Sequence, residues 1–127
     1  MSDLHLDTHV VVWLAAGNHQ FPTGVRLALN QQPLRFSPMV RLELTYLHEV
    51  GRISQTPERL LAGLAEMVGL AEDGTAFGLV AHLAAAQTFT RDPFDRMITA
   101  QALAAKARLA TKDRIIRAAH PSLTVWD

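Results

Sequence analysis

At 127 residues the chain has the length of one domain, and its 49% apolar and 19% charged residues are those of a folded protein, not a disordered one. Twelve Lys+Arg against twelve Asp+Glu leave no net charge, so no global field points to nucleic acid or membrane. With no cysteine, disulfides, thiolate zinc sites and a cysteine nucleophile are all excluded. The longest apolar run, Val10 to Ala16, falls short of the ~18 residues of a membrane span. The opening Met1-Ser2-Asp3 lacks the basic start of a secretory signal, so an intracellular, cytoplasmic protein with one domain over 1–127 is expected.

In chain order, Leu4 begins a short buried strand that ends near Asp7, followed by a helix through Ala16 that Gly17-Asn18 stops. Thr23 to Asn30 reads as a helix and Leu34 to Phe36 as a second strand. Ser37-Pro38, Thr56-Pro57 and Asp92-Pro93 each combine an N-cap with proline at the first helical position. The helices they open run to about Val50, Gly69 and Lys106. Thr75 to Gly78 suggests a short strand before an alanine-rich helix over Leu79 to Gln87. Arg108 to Thr111 predicts a strand, Arg114 to Ala118 a short helix, and Leu123 to Trp126 a final strand. Short apolar strands alternating with helices predict an α/β domain with a parallel sheet.

Several chemistries are missing. There is no Gly-x-Ser-x-Gly elbow, no Walker A loop and no Gly-x-Gly-x-x-Gly turn, and His48-Glu49 does not continue into a zinc helix. What remains is acids in apolar settings. Asp7 ends the first strand, where open α/β sheets bind ligands, although it also suits a helix cap. Glu43 falls inside the stripe of Val40, Leu44 and Leu47; a buried ion pair is the ordinary explanation, yet Arg41 lies on another face and Arg52 beyond the helix. Asp95 borders the stripe of Phe94, Ile98, Ala102 and Ala105, and with Asp92 it also fits a capping box. Asp113 follows the strand ending at Thr111 and also suits a cap.

In a parallel sheet these four positions can converge at the C-terminal edge. Two carboxylates ~5 Å apart repel by roughly 3 kcal/mol at an effective dielectric of ~20, so such a cluster calls for a divalent cation or protonation. Oxygen-only ligands favour Mg²⁺ or Mn²⁺, which suits phosphodiester hydrolysis. A rival trio, His5, Asp7 and His9 at i, i+2 and i+4, requires the first strand to continue past Asp7.

Leu6-Asp7-Thr8-His9 with Val12-Trp13-Leu14, Phe36-Ser37-Pro38 through Leu42-Glu43-Leu44 with Gly51-Arg52-Ile53, Arg91-Asp92-Pro93-Phe94-Asp95-Arg96 and Leu109-Ala110-Thr111-Lys112-Asp113 stand in order along nearly the whole chain. Together they resemble the PIN domain, and within it the VapC toxins. Pro38 and Met39 depart from the small polar residues common there. The resemblance implies a three-layer α/β/α fold with a short, mostly parallel central sheet. It implies a Mg²⁺- or Mn²⁺-dependent ribonuclease, the toxin of a type II toxin–antitoxin pair, that hydrolyses RNA with cation-activated water. A cognate antitoxin and a homodimer are the implied partners besides RNA, with no membrane. Asp7, Glu43, Asp95 and Asp113 match the family's acidic quartet, Asp7 and Asp95 as metal ligands, Thr111 its polar neighbour, and Asp92 a cap or supporting residue. The alternatives are a PIN nuclease of RNA processing without an antitoxin and a catalytically silent scaffold. Seven basic residues against three acidic ones between Arg91 and Arg117 give a local excess suited to an RNA backbone, or an ordinary solvated surface.

Overall fold

The computed structural model describes residues 2–17 and 20–127. Among these, seven helices flank five strands: β1 (Leu4–Leu6), α1 (Thr8–Ala15), α2 (Thr23–Gln31), β2 (Leu34–Phe36), α3 (Pro38–Glu49), α4 (Pro57–Val68), β3 (Ala71–Glu72), α5 (Phe77–Ala85), α6 (Pro93–Ala104), β4 (Arg108–Ala110), α7 (Arg114–Ala119) and β5 (Thr124–Val125). The sheet runs β3-β2-β1-β4-β5, and every pairing is parallel, so the mostly parallel sheet expected above is wholly so. Successive strand residues point to opposite faces. Leu4 and Leu6 are fully buried, and so is His5 between them, which shows that helices cover both faces of a three-layer α/β/α domain. No helix among the described residues is long and apolar enough to cross a membrane.

The three proline-opened helices form for the reasons the sequence suggests. Ser37 Oγ accepts from the Met39 N–H at 3.1 Å, Thr56 Oγ1 from the Arg59 N–H at 3.4 Å, and Asp92 Oδ1 from the Phe94 N–H at 2.8 Å. Beyond α3 and at the end of α4, Gly51 and Gly69 adopt φ of 80° and 71°, the left-handed turn that glycine makes without strain. Gly17 also turns left-handed after α1, while its expected companion Asn18 lies outside the described residues.

One strand differs. Residues 75–78 do not pair; the third strand is instead Ala71–Glu72, aligned with Arg35 and Phe36 of β2, and α5 begins at Phe77. The loop between is held by Asp73, whose Oδ2 accepts from the Thr75 N–H at 3.1 Å and from Gln101 Nε2 at 2.6 Å. Buried Ser37 donates in turn to Gln101 Oε1 at 3.2 Å, which ties β2, α6 and the β3 loop together beneath the sheet.

The chain order fixes where a site belongs. From β1 the connections lead to β2 and β3 on one side, whereas β4 and β5 lie on the other. The carboxyl ends of β1 and β4 therefore flank the point where strand order reverses, the usual crevice of open α/β sheets.

Candidate active site

Asp7 directly follows β1, and Thr111 to Asp113 follow β4, so the switch point brings them side by side. Asp7 is buried and both its oxygens are engaged. Oδ1 accepts from the Thr8 N–H at 2.8 Å and so caps α1, while Oδ2 accepts from the Thr111 hydroxyl at 2.6 Å. The Thr111 Oγ1 also accepts from the Asp113 N–H at 3.1 Å, which links two of the acids through one hydroxyl. Asp113 caps α7, with Oδ1 taking the N–H groups of Ile115 and Ile116 at 2.9 and 3.0 Å. Capping and membership of the cleft prove compatible.

Glu43 enters from α3. Its Oε1 accepts from the Thr8 hydroxyl at 2.5 Å, and among the described residues it makes no ion pair. Burial pushes its pKa up, the Thr8 bond opposes that rise, and the charges of Asp7 and Asp92 add to it. Asp95 enters from the first turn of α6. The capping box expected there is half formed: Asp92 Oδ1 accepts from the Asp95 N–H at 3.3 Å, but the Asp92 N–H donates to Thr90 Oγ1 instead of to Asp95. No donor among the described residues reaches the Asp95 carboxylate. Burial, then the charges of Asp92, Asp7, Asp113 and Glu43, raise its pKa to about 7.

All four acids line one cleft of about 420 Å³, together with Thr8, His9, Trp13, Arg52 and Asp92. His9 accepts from the Lys112 N–H at its Nε2 (2.9 Å), which leaves the proton on Nδ1, 3.5 Å from Asp7 Oδ2. Burial holds its pKa below the usual imidazole value against the pull of Asp7, so neutral His9 steadies that carboxylate. The rival trio is excluded: helix α1 begins at Thr8, so His5 and His9 do not share a strand face. His5 instead faces Asp73, 3.8 Å away. Thr8, His9 and Asp92 thus hold or charge the site. Of these, Asp92 matches the expectation of a cap or supporting residue, whereas the sequence reading gave neither Thr8 nor His9 this part.

The basic residues of the C-terminal third divide. Arg96 donates to the carbonyls of Ala84 and Ala85 at 3.1 and 2.9 Å and closes the end of α5. Lys112, Arg114 and Arg117 instead line a second cavity that shares His9, Trp13 and Asp113 with the acidic cleft.

The residues fit a hard divalent cation. The candidate ligands are all oxygen, and burial together with the charges of neighbouring acids raises the pKa of both Asp95 and Glu43, a cost that a bound cation would relieve. Among the described residues no group of three or more His, Cys, Asp or Glu side chains is arranged to hold a metal ion. A Mg²⁺-type ion needs only one or two carboxylates and keeps several waters.

If Thr8 holds Glu43 ionised, Thr8→Val is expected to raise the Glu43 pKa further. The Glu43 carboxyl of the variant, followed by carbon-13 NMR across pH, should then titrate at higher pH than in the parent. An unchanged titration would show that the Thr8 bond does not hold Glu43 ionised.

The chain is a parallel α/β/α sandwich with an acidic cleft at its switch point, and the PIN domain family model matches residues 4–120. The chain belongs to the PIN domain family. Within it, the chain is 31% identical over 134 aligned positions to "Ribonuclease VapC22" of Mycobacterium tuberculosis (strain ATCC 25618 / H37Rv), covering 99% of this chain and 100% of that one. Two crystal structures share the fold. One is VapBC2 from Rickettsia felis bound to a DNA fragment from their promoter, with TM-score 0.66, 16% identity and 98% of each chain covered. The other is DNA-bound VapBC from Salmonella typhimurium, with TM-score 0.59, 22% identity and 92% of each covered.

Proposed function

We propose that the chain is an endoribonuclease of the VapC type, the cytoplasmic toxin of a toxin–antitoxin pair, acting with Mg²⁺ or Mn²⁺. The observation that carries this reading is that Asp7, Glu43, Asp95 and Asp113, from four separate segments, line one cleft. The likeness to a VapC ribonuclease along the full length supports it. Asp7 and Asp95 would hold the cation, with Glu43 and Asp113 completing the acidic wall. When bound, such an ion supplies Lewis-acid stabilisation of charge on the phosphate and a water of lowered pKa.

The chain's own residues set the conditions for that chemistry. Thr8, Thr111 and neutral His9 fix the Asp7 carboxylate, so its orientation does not have to be found during the reaction. Asp95 stands half-buried among the other acids with no hydrogen bond to its carboxylate among the described residues, so its oxygens are left open to the cation it would hold. Arg52, exposed at the same cleft, stands ready to pair a phosphate oxygen. A VapB-type antitoxin would silence the toxin, and a homodimer is the proposed active assembly.

Expression of the chain alone should arrest growth of a bacterial host, and co-expression of the protein encoded beside it should restore growth. Harmlessness of soluble protein at high level would instead favour a PIN nuclease of RNA processing without an antitoxin.

A further inference from the structure

The second cavity, about 520 Å³, opens beside the acidic cleft and is lined by His9, Trp13, Lys112, Asp113, Arg114, Arg117 and Trp126. Its chemistry is the reverse of its neighbour's: three basic side chains face the opening, with Asp113 the single acid at the shared wall. Two indoles line it, their planes inclined at 61° to each other. The Trp13 and Trp126 centroids are 5.9 Å apart, each ring meets His9 at about 6 Å (6.0 and 5.8 Å), and Phe21 packs beneath both. Both indoles remain partly exposed. The placement of Trp126 is built into the fold. Gly24 leaves room for the Asp127 carbonyl, which accepts from the Val25 N–H at 3.2 Å and pins the residue next to Trp126 to α2.

We infer that this groove seats the single-stranded RNA flank adjoining the phosphodiester in the acidic cleft, with a base stacked against the Trp13–Trp126 pair and backbone phosphates on Lys112, Arg114 and Arg117. The inference rests on the nuclease reading only for the position of the cut; binding in the groove stands apart from it. Two features select a nucleic acid strand. Aromatic rings flanked by cations are how proteins hold single strands without reading sequence. A strand leaving a site of four carboxylates also needs its own charge compensated within a nucleotide or two, and the shared wall at His9, Trp13 and Asp113 offers that path. Lys112 Nζ now sits over the Trp13 ring at 5.0 Å. Such an exposed cation–π pairing is weaker than base stacking, so an incoming base displaces the ammonium onto a phosphate.

Both tryptophans of the chain line this groove, so intrinsic fluorescence reports on it directly. The test titrates the whole protein with a single-stranded oligouridylate in excess chelator, where no cleavage competes. Saturable quenching is expected, with affinity falling as salt rises. Arg114→Ala/Arg117→Ala should weaken binding by about tenfold at low salt and reduce the log–log salt slope by about 1.4, roughly 0.7 for each phosphate that is no longer neutralised. If that variant melts early, the exposed Lys112→Ala, read by anisotropy of a labelled strand, should remove about 0.7 from the slope. Absence of quenching, or binding indifferent to these variants, would overturn the assignment even where cleavage with Mg²⁺ persists. Quenching without any cleavage would uphold the groove while the nuclease reading failed. An oligoglutamate peptide that quenches as tightly as the RNA would overturn RNA as the occupant.

Discussion

Asp7→Asn is expected to reduce cation-dependent RNA cleavage by more than about 100-fold while the fold persists. Asparagine keeps one carbonyl oxygen to accept from the Thr8 N–H, so the cap on α1 survives. Its amide replaces Oδ2 and can donate to Thr111 Oγ1, while the His9 Nδ1–H loses its acceptor, at a cost of about 1–3 kcal/mol. What is lost is the negative charge at the switch point. Even residues that merely support metal ligands are worth 10–100-fold in affinity or activity, on the order of the effect set as the minimum here. The comparison needs two readouts, cleavage of a labelled RNA and thermal melting. A variant that melts normally and still cuts within a few fold of the parent would remove Asp7 from the reaction.

Asp95→Asn should have the opposite effect on stability from an ordinary loss of a helix-start acid. In chelator, the folded Asp95 pKa of about 7 lies well above that of an unfolded aspartate, ~3.9. The folded chain therefore binds the extra proton between those values. Its stability falls as pH rises through that window and stays lower above it. The unscreened shift corresponds to about 4 kcal/mol; solvent reaching a half-buried carboxylate reduces this to about 1–2 kcal/mol. Against it stands the favourable helix-dipole interaction of an acid in the first turn, about 0.3–1 kcal/mol. The cost of a charge that is buried and crowded by other acids wins at pH 8, so the variant should melt about 3 °C above the parent there. Near pH 5 the difference should disappear or change sign, because the parent carboxyl is already protonated in the fold. Added Mg²⁺ should raise the parent's melting temperature more than the variant's. A variant less stable in chelator at both pH values, with the same response to Mg²⁺, would leave Asp95 as a helix-start acid alone.

Much of this arrangement was legible because it depends on local chemistry. Ser37-Pro38, Thr56-Pro57 and Asp92-Pro93 each begin a helix where a cap and a preset φ coincide, and Asp7 stands at a strand end whichever strands pair with it. Glu43 stood out because no charged partner shares its helix face. What stayed hidden depends on residues distant in sequence. Ala71–Glu72 is two exposed residues with neither alternation nor β-branching, and only its pairing with β2 makes it a strand. The expected strand at 75–78 yields to the turn that Asp73 builds with Thr75 and Gln101. The capping box forms only by half for a local reason: Thr90, two residues before Asp92, satisfies the donor that Asp95 was expected to bind. The excess of positive charge after Arg91 was visible as a count, but not that Arg96 serves α5 while Lys112, Arg114 and Arg117 gather beside the cleft.

These four carboxylates are proposed to cut RNA only with a divalent cation among them. The direct test is incubation of the purified chain with an end-labelled single-stranded RNA in excess chelator, and then with Mg²⁺ or Mn²⁺ restored. Silence in chelator and cleavage on restoration is the predicted result; equal cleavage in both would contradict the account.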